Sequence, residues 1–224
     1  MLLLAVDTSG KHGSIALARC QPGRGCEVIE AVPLAGGTFS AQLVPQIAAL
    51  LSQHRFSKQD IGAFAVASGP GSFTGLRVGL AAIKALAEVL HRPIAAVSLL
   101  EAVARSGKAQ GKVLAVMDAG RGEAYVGEYQ VEGAGAHGLQ ERLLTSEELL
   151  TIATGLTVIT PDKRWLDLAL GAHLRVEQVS CPSSDTVARL GWERIQAGEI
   201  VSPEQLEANY IRRSDAEIFA KSGG

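Results

Sequence analysis

Two stretches of this chain, one at its start and one near its middle, are written to the same pattern. Leu3-Leu-Ala-Val-Asp-Thr-Ser-Gly-Lys-His-Gly13 and Lys112-Val-Leu-Ala-Val-Met-Asp-Ala-Gly-Arg-Gly122 each give Leu-Ala-Val, an Asp, then Gly, a basic residue and Gly. Each reads as a buried strand that ends on a carboxylate, turns through glycine, and returns as an alternating strand. The returning strands are Ser14–Ala18 and Glu123–Val131. A self-similar pair of elements opening each half of a 224-residue chain points to a duplicated unit. The boundary is expected near residue 108, with an N-terminal lobe at 1–108 and a more eroded C-terminal lobe at 109–224.

The first half continues with a third strand near Glu27–Pro33, which completes an antiparallel meander. Ser40 is placed to cap a helix carrying Leu43, Val44, Ile47, Leu50 and Leu51, with a distorted first turn at Pro45. A strand over residues 61–67 then runs into Ser68-Gly-Pro-Gly-Ser-Phe-Thr-Gly75. Helical spacing follows at Leu76, Leu80, Ile83, Ala87 and Leu90, with Thr74 as the expected N-cap. Ile94–Val97 is a short buried strand, and Ser98-Leu-Leu-Glu101 a capping box. In the second half, Thr145-Ser-Glu-Glu148 is another capping box. Strands at Thr157–Thr160 and Arg175–Val179 bracket a short helix at Trp165–Leu170, and a further helix runs through Val187, Leu190 and Gln196. From Pro203 the chain reads as a tail packed on the body, with Ser222-Gly-Gly as a disordered end.

A glycine-rich loop feeding a helix N-terminus suits an anion, so Gly71, Ser72 and Thr74 are candidate anion-binding residues. The nucleotide motifs fit poorly. Gly75 is followed by Leu76-Arg77 where a P-loop needs Lys and a hydroxyl residue. A dinucleotide site needs an acid after the next strand, where this chain has Val97-Ser98. A third form is the duplicated fold of actin, Hsp70 chaperones and sugar kinases, whose strand-end turns cradle phosphate. Asp7-Thr-Ser-Gly10 and Asp118-Ala-Gly-Arg121 sit where such turns belong, although strand-end Asx turns explain the same residues.

Gly75, Gly79 and Ala82 form a narrow stripe of small side chains on the second helix. Glycine inside a helix costs about 1 kcal/mol relative to alanine, so close packing must offset it. That packing is against the chain's own sheet or against a partner, and the sequence leaves both open.

The five histidines lie far apart with no HExxH, and Ser72 fits no nucleophile elbow, so neither metal chemistry nor a hydrolase triad is indicated. A net charge of −2 announces no nucleic-acid surface. Three cysteines, Cys20, Cys26 and Cys181, form no CxxC and leave an odd thiol, which favours a reducing compartment. Met1–Asp7 reads as a strand and not a signal peptide, and no apolar run reaches membrane-span length. A cytoplasmic location is expected.

Leu3-Leu-Ala-Val-Asp-Thr-Ser9, Ser68-Gly-Pro-Gly-Ser-Phe-Thr-Gly-Leu-Arg77, Asp118…Gly122-Glu-Ala-Tyr125 and the late Tyr210-Ile-Arg212 resemble the TsaB (YeaZ) family. The resemblance spans roughly the whole chain. It departs at Phe39-Ser40, where many relatives have His before the hydroxyl residue. It departs also at Asp118-Ala-Gly-Arg-Gly-Glu123, where the basic residue is shifted by one.

The resemblance implies an α/β protein with the duplicated actin/Hsp70-like (ribonuclease H-like) fold, each lobe opened by an antiparallel meander. It implies a non-catalytic subunit of the pathway that makes threonylcarbamoyladenosine (t6A) at adenosine 37 of tRNA. The partner is TsaD, which holds the metal and transfers the threonylcarbamoyl group; TsaE joins the pair, and TsaC makes the activated precursor. The two first-half helices supply the shared face, which joins two copies of the chain when TsaD is absent. The expected interface residues are Leu43, Ile47, Leu50, Leu51, Gly75, Leu76, Gly79, Ala82 and Ile83. No cofactor is expected in this chain alone, with ATP or ADP allowed at the interface of the complex, and tRNA met through the complex. A different class of reading is a kinase-like ATPase using Asp7 and Asp118; a protease is disfavoured by the missing metal and triad residues.

Overall fold

The computed structural model describes residues 1–212; the expectation for Ser222–Gly224 lies outside them. β1 (Leu2–Asp7) is buried along its whole length. It pairs antiparallel with β2 (Gly13–Gln21), which pairs antiparallel with β3 (Gly25–Leu34). After α1 (Phe39–Gln53), β4 (Ile61–Gly69) returns parallel to β1; after α2 (Phe73–Leu90), β5 (Ile94–Ser98) lies parallel to β4. α3 (Leu99–Ser106) leads to β6 (Gly111–Gly120), β7 (Glu123–Glu132) and β8 (Gly135–Thr145), a second antiparallel meander. α4 (Ser146–Ile152), β9 (Thr157–Thr160), α5 (Lys163–Gly171) and β10 (Arg175–Gln178) follow, with β9 parallel to β6 and to β10. The two sheets are wired alike, β3-β2-β1-β4-β5 and β8-β7-β6-β9-β10. This is the duplicated actin/Hsp70-like (ribonuclease H-like) α/β arrangement that the repeated Asp segments point to.

The described chain divides into two compact units, Met1–Ser98 with Pro182–Asn209, and Leu99–Cys181 with residues 210–212. They interleave in sequence, where contiguous lobes at 1–108 and 109–224 are the simpler expectation. The reason is that each sheet has two faces to cover. In the first sheet, Leu4, Val6, Ile15, Leu17, Phe64 and Val66 share the face that packs with α1 and α2. The opposite face is rich in small residues, among them Ala5, Ala16 and Ala65. There α6 (Ser184–Ala197) lies so close that a side chain at Gly191 would overlap Ala65. In the second sheet, α4 and α5 bring Leu149 and Trp165 to one face, and α3 brings Leu100, Val103 and Ala104 to the other.

Several local expectations change. α1 starts at Phe39, with the Thr38 carbonyl accepting from Ala41 and Gln42, so Ser40 lies inside the helix and not at its cap. Pro45 consequently falls beyond the first turn, on the exposed side, and α1 continues through it. α2 is capped by Ser72, whose Oγ accepts from the Gly75 amide at 3.3 Å, and not by Thr74. β8 has no apolar alternation because it is an edge strand with most residues exposed. The Thr145–Glu148 capping box is formed as expected. Cys20 and Cys26, which share no short motif, face each other across β2 and β3 and are joined as a disulfide, leaving Cys181 exposed. Spacing alone hid that pair; the hairpin register creates it.

Candidate functional site: the strand-end aspartates and the faces of α1 and α2

In the first unit, β1 ends in Asp7, Thr8 and Ser9, all buried. Asp7 Oδ1 accepts from the Ser9 amide at 2.9 Å and from Ser9 Oγ at 2.6 Å, an Asx turn closed on itself. Burial pushes the Asp7 carboxyl above its ordinary value, against the lowering pull of the two Ser9 bonds. The glycine-rich loop after β4 lies directly on this turn. The Ser72 amide donates to the Ser9 carbonyl at 2.6 Å, and Thr8 Oγ1 donates to the Gly75 carbonyl at 2.7 Å.

Side chains are excluded at this junction. A Cβ on Gly71 would stand 2.5 Å from the Ser9 carbonyl oxygen, one on Gly75 would overlap the Thr8 carbonyl oxygen, and one on Gly79 would overlap Thr8 Oγ1. The glycine stripe is therefore explained by the chain's own sheet. The Ser72 amide is already spent on Ser9, and Thr74 is exposed without capping the helix. Gly71 and Ser72 are thus packed on Ser9 just beyond the end of β1, while Thr74 faces solvent.

The second unit solves the same junction differently. The side chain of Asp118, at the end of β6, is 39% exposed. Its Oδ2 accepts from the Gly120 amide at 3.3 Å, again an Asx turn, while Oδ1 accepts from Trp165 Nε1 at 3.1 Å. Asp162, in the turn after β9, accepts from the Asp118 amide at 2.8 Å. Burial raises the Asp162 carboxyl; the amide bond opposes this, and the neighbouring Asp118 charge adds to it. Arg164 lies over the Trp165 ring at 5.1 Å and stands 3.9 Å from Asp118 Oδ1. Arg212 donates to the Ala119 carbonyl at 2.9 Å and pairs with Glu123, holding the tail against the β6–β7 turn.

The sequence reading anticipates Asp7, Asp118 and the Tyr210-Ile-Arg212 segment but misses Thr8, Asp162, Arg164 and Trp165. The Trp at the start of the helix that follows β9 was the available signal for the second junction. Among the described residues, no group of three or more His, Cys, Asp or Glu side chains is arranged to hold a metal ion.

The expected interface residues need correction. Leu43, Ile47, Leu50, Leu51, Gly75, Leu76, Gly79 and Ile83 are buried in the first unit's own core, and Ala82 is half-buried against it. A partner cannot reach them without opening that core. The outward faces are different residues: Ala41, Val44 and Ala48 on α1, and Ala81, Ala85 and Val89 on α2, all exposed. Val44 is 56% and Val89 69% exposed. Val44 and Val89 are thus large apolar side chains left exposed on two helices that also pack on each other, alongside exposed polar residues such as Gln46, Arg77 and Glu88.

A family model described as "TsaD: tRNA N6-adenosine threonylcarbamoyltransferase" matches residues 33–163. The Bacillus subtilis tRNA threonylcarbamoyladenosine biosynthesis protein TsaB is 34% identical over 151 residues, 67% of this chain. The match spans 62% of that relative's length. The Escherichia coli protein of the same description is 29% identical over 228 residues, 96% of each chain. A crystal structure described as an uncharacterized protein with similarity to peptidase YEAZ, from Pseudomonas aeruginosa, superposes with a TM-score of 0.75 and 26% identity. It covers 94% of this chain and 99% of that one.

Proposed function

The chain belongs to the TsaB (YeaZ) family, and from that premise we propose that it is a non-catalytic subunit supporting t6A formation in tRNA by a TsaD-type transferase. The likeness to named t6A biosynthesis proteins, over nearly the whole chain in the E. coli case, carries this reading. The junction geometry supports it. A catalytic or phosphate-binding Asp needs access, and Asp7 is 5% exposed and bonded to its own turn. An ATPase that used Asp7 would have to uncover that carboxyl first.

The docking face is assigned to the outward sides of α1 and α2, with Val44, Ala48, Ala81, Ala85 and Val89 as its centre. The expected interface residues lie behind that face and fix its shape. On this reading ATP or ADP belongs to the assembled complex, TsaE and TsaC act with the TsaD-bound form, and the same face pairs two copies when TsaD is absent. The cytoplasm is the proposed location, since the substrate tRNA and the pathway enzymes meet there; among the described residues no helix is long and apolar enough to cross a membrane.

The test is an omission series. The chain, TsaD, TsaE, TsaC, ATP, threonine, bicarbonate and an unmodified ANN-decoding tRNA are combined, and t6A is measured by nucleoside mass spectrometry with each component left out. The reading requires t6A to collapse when this chain is omitted and this chain alone to make none. Undiminished t6A without it would overturn the assignment.

A further inference from the structure

We propose that Cys20 and Cys26 form a reversible thiol–disulfide site on the β2–β3 hairpin, entered through Cys26. The two residues are direct partners in the strand register, with Cα atoms 4.1 Å apart. The backbone shows which kind of partners they are. The Cys20 amide donates to the Met1 carbonyl at 2.9 Å, and the Cys20 carbonyl accepts from the Met1 amino group at 2.8 Å. Both polar groups of Cys20 therefore point away from β3, and Cys20–Cys26 is a non-hydrogen-bonded pair. Such pairs bring opposed side chains closest in an antiparallel ladder. The thiols are held within reach of each other by the hairpin whether or not the bond is made.

Access differs between the two sulfurs. Cys20 is on an inner strand and fully buried, whereas Cys26 is on the edge strand β3 and only partly covered. A small disulfide, RSSR, meets the Cys26 thiolate first. Cys26 Sγ attacks one sulfur of RSSR, the S–S bond breaks, and RS⁻ leaves and takes a proton, giving a mixed disulfide at Cys26. Cys20 Sγ loses its proton to solvent, attacks Cys26 Sγ and displaces the second RSH. Overall two protein thiols are oxidised to one disulfide, and RSSR is reduced to two RSH. Excess thiol runs the steps backwards. In a reducing compartment such a pair is held as thiols and closes when the poise turns oxidising. Neither strand has to change register, so the site switches without rebuilding the sheet.

The experiment uses the full chain in a Cys181→Ser background, treated with oxidised glutathione and read by intact mass and thiol alkylation. The expected product has lost two hydrogens, carries no glutathione, resists alkylation, and recovers both thiols in dithiothreitol. Adding Cys20→Ala should leave one glutathione on Cys26. Adding Cys26→Ala should leave Cys20 labelled about tenfold or more slowly, because reaction follows access to the thiolate. Two thiols still open to alkylation after treatment, or labelling of Cys20 as fast as Cys26, would overturn the proposal. The first arm involves no core substitution, so it decides the matter even where Cys20→Ala weakens folding.

Discussion

The two strand-end junctions, β1 to α2 in the first unit and β6 to α5 in the second, share topology but are closed by opposite means. The first is closed by backbone. Gly71, Gly75 and Gly79 bring the loop and helix onto Thr8 and Ser9 with no room for a methyl group, and the adjacent Asp7 is buried. The second is closed by side chains. Trp165 and Asp162 bond to Asp118 and its amide, and Arg164 stacks outside, in a half-exposed polar cluster. The same wiring therefore yields a tight, size-intolerant joint in one unit and a polar, partly exposed one in the other. The first joint is the one that fixes α2 against Thr8.

Substitutions can break this contrast in graded steps. Among single added methyl groups, Gly75→Ala should do the most damage, because its methyl group meets a backbone carbonyl that cannot rotate away. A loss of about 3 kcal/mol or more is expected in urea unfolding, the upper end of overpacking costs. Gly79→Ala should cost less, since Thr8 Oγ1 can turn aside at the expense of its bond to the Gly75 carbonyl and alanine suits a helix better. Gly79→Leu is expected to unfold the first unit, which separates a core role from an interface role for this residue.

In the second unit, Trp165→Phe keeps the buried ring but removes one donor to Asp118, whose Oδ1 keeps Arg164 and solvent, with an expected loss of no more than about 1 kcal/mol. Asp7→Asn should act mainly through pH. Burial raises the folded-state pKa of Asp7, so the folded chain holds a proton that the unfolded chain releases. That stability is full below the ordinary value of 3.8 and is lost as pH rises through the raised value. Asparagine still offers an oxygen to the Ser9 amide and hydroxyl. The variant should therefore flatten the decline in thermal midpoint above the ordinary carboxylate range; an unchanged slope would contradict the buried-carboxyl description.

Much of the architecture was legible in the sequence because the duplicated Asp segments mark both meanders and the helices have clear apolar spacing. What escaped is instructive. β8 lies at an edge, so solvent exposure erases the alternation that reveals other strands. The return of α6 to the first sheet depends on Ala65 and Gly191 meeting across a long stretch of chain, which no local pattern encodes. The Cys20–Cys26 pairing follows from hairpin register and not from spacing. At the candidate site, periodicity marked the inward sides of α1 and α2. Leu43, Ile47, Leu76 and Ile83 are strong apolar signals because they build the core, while the smaller outward residues at 44, 48, 81 and 85 stand out only once exposure is known.

That inversion gives the most direct test of the central claim, that the first unit works by holding out the outward face of α1 and α2. Val44 and Val89 are exposed, so Val44→Asp with Val89→Asp should change folding stability by no more than about 0.5 kcal/mol each. Isothermal titration of this double variant into the TsaD-type partner should then show no binding heat under conditions where the wild-type chain binds, with the thermal midpoint essentially unchanged. Wild-type affinity from a chain carrying both charges would contradict the account.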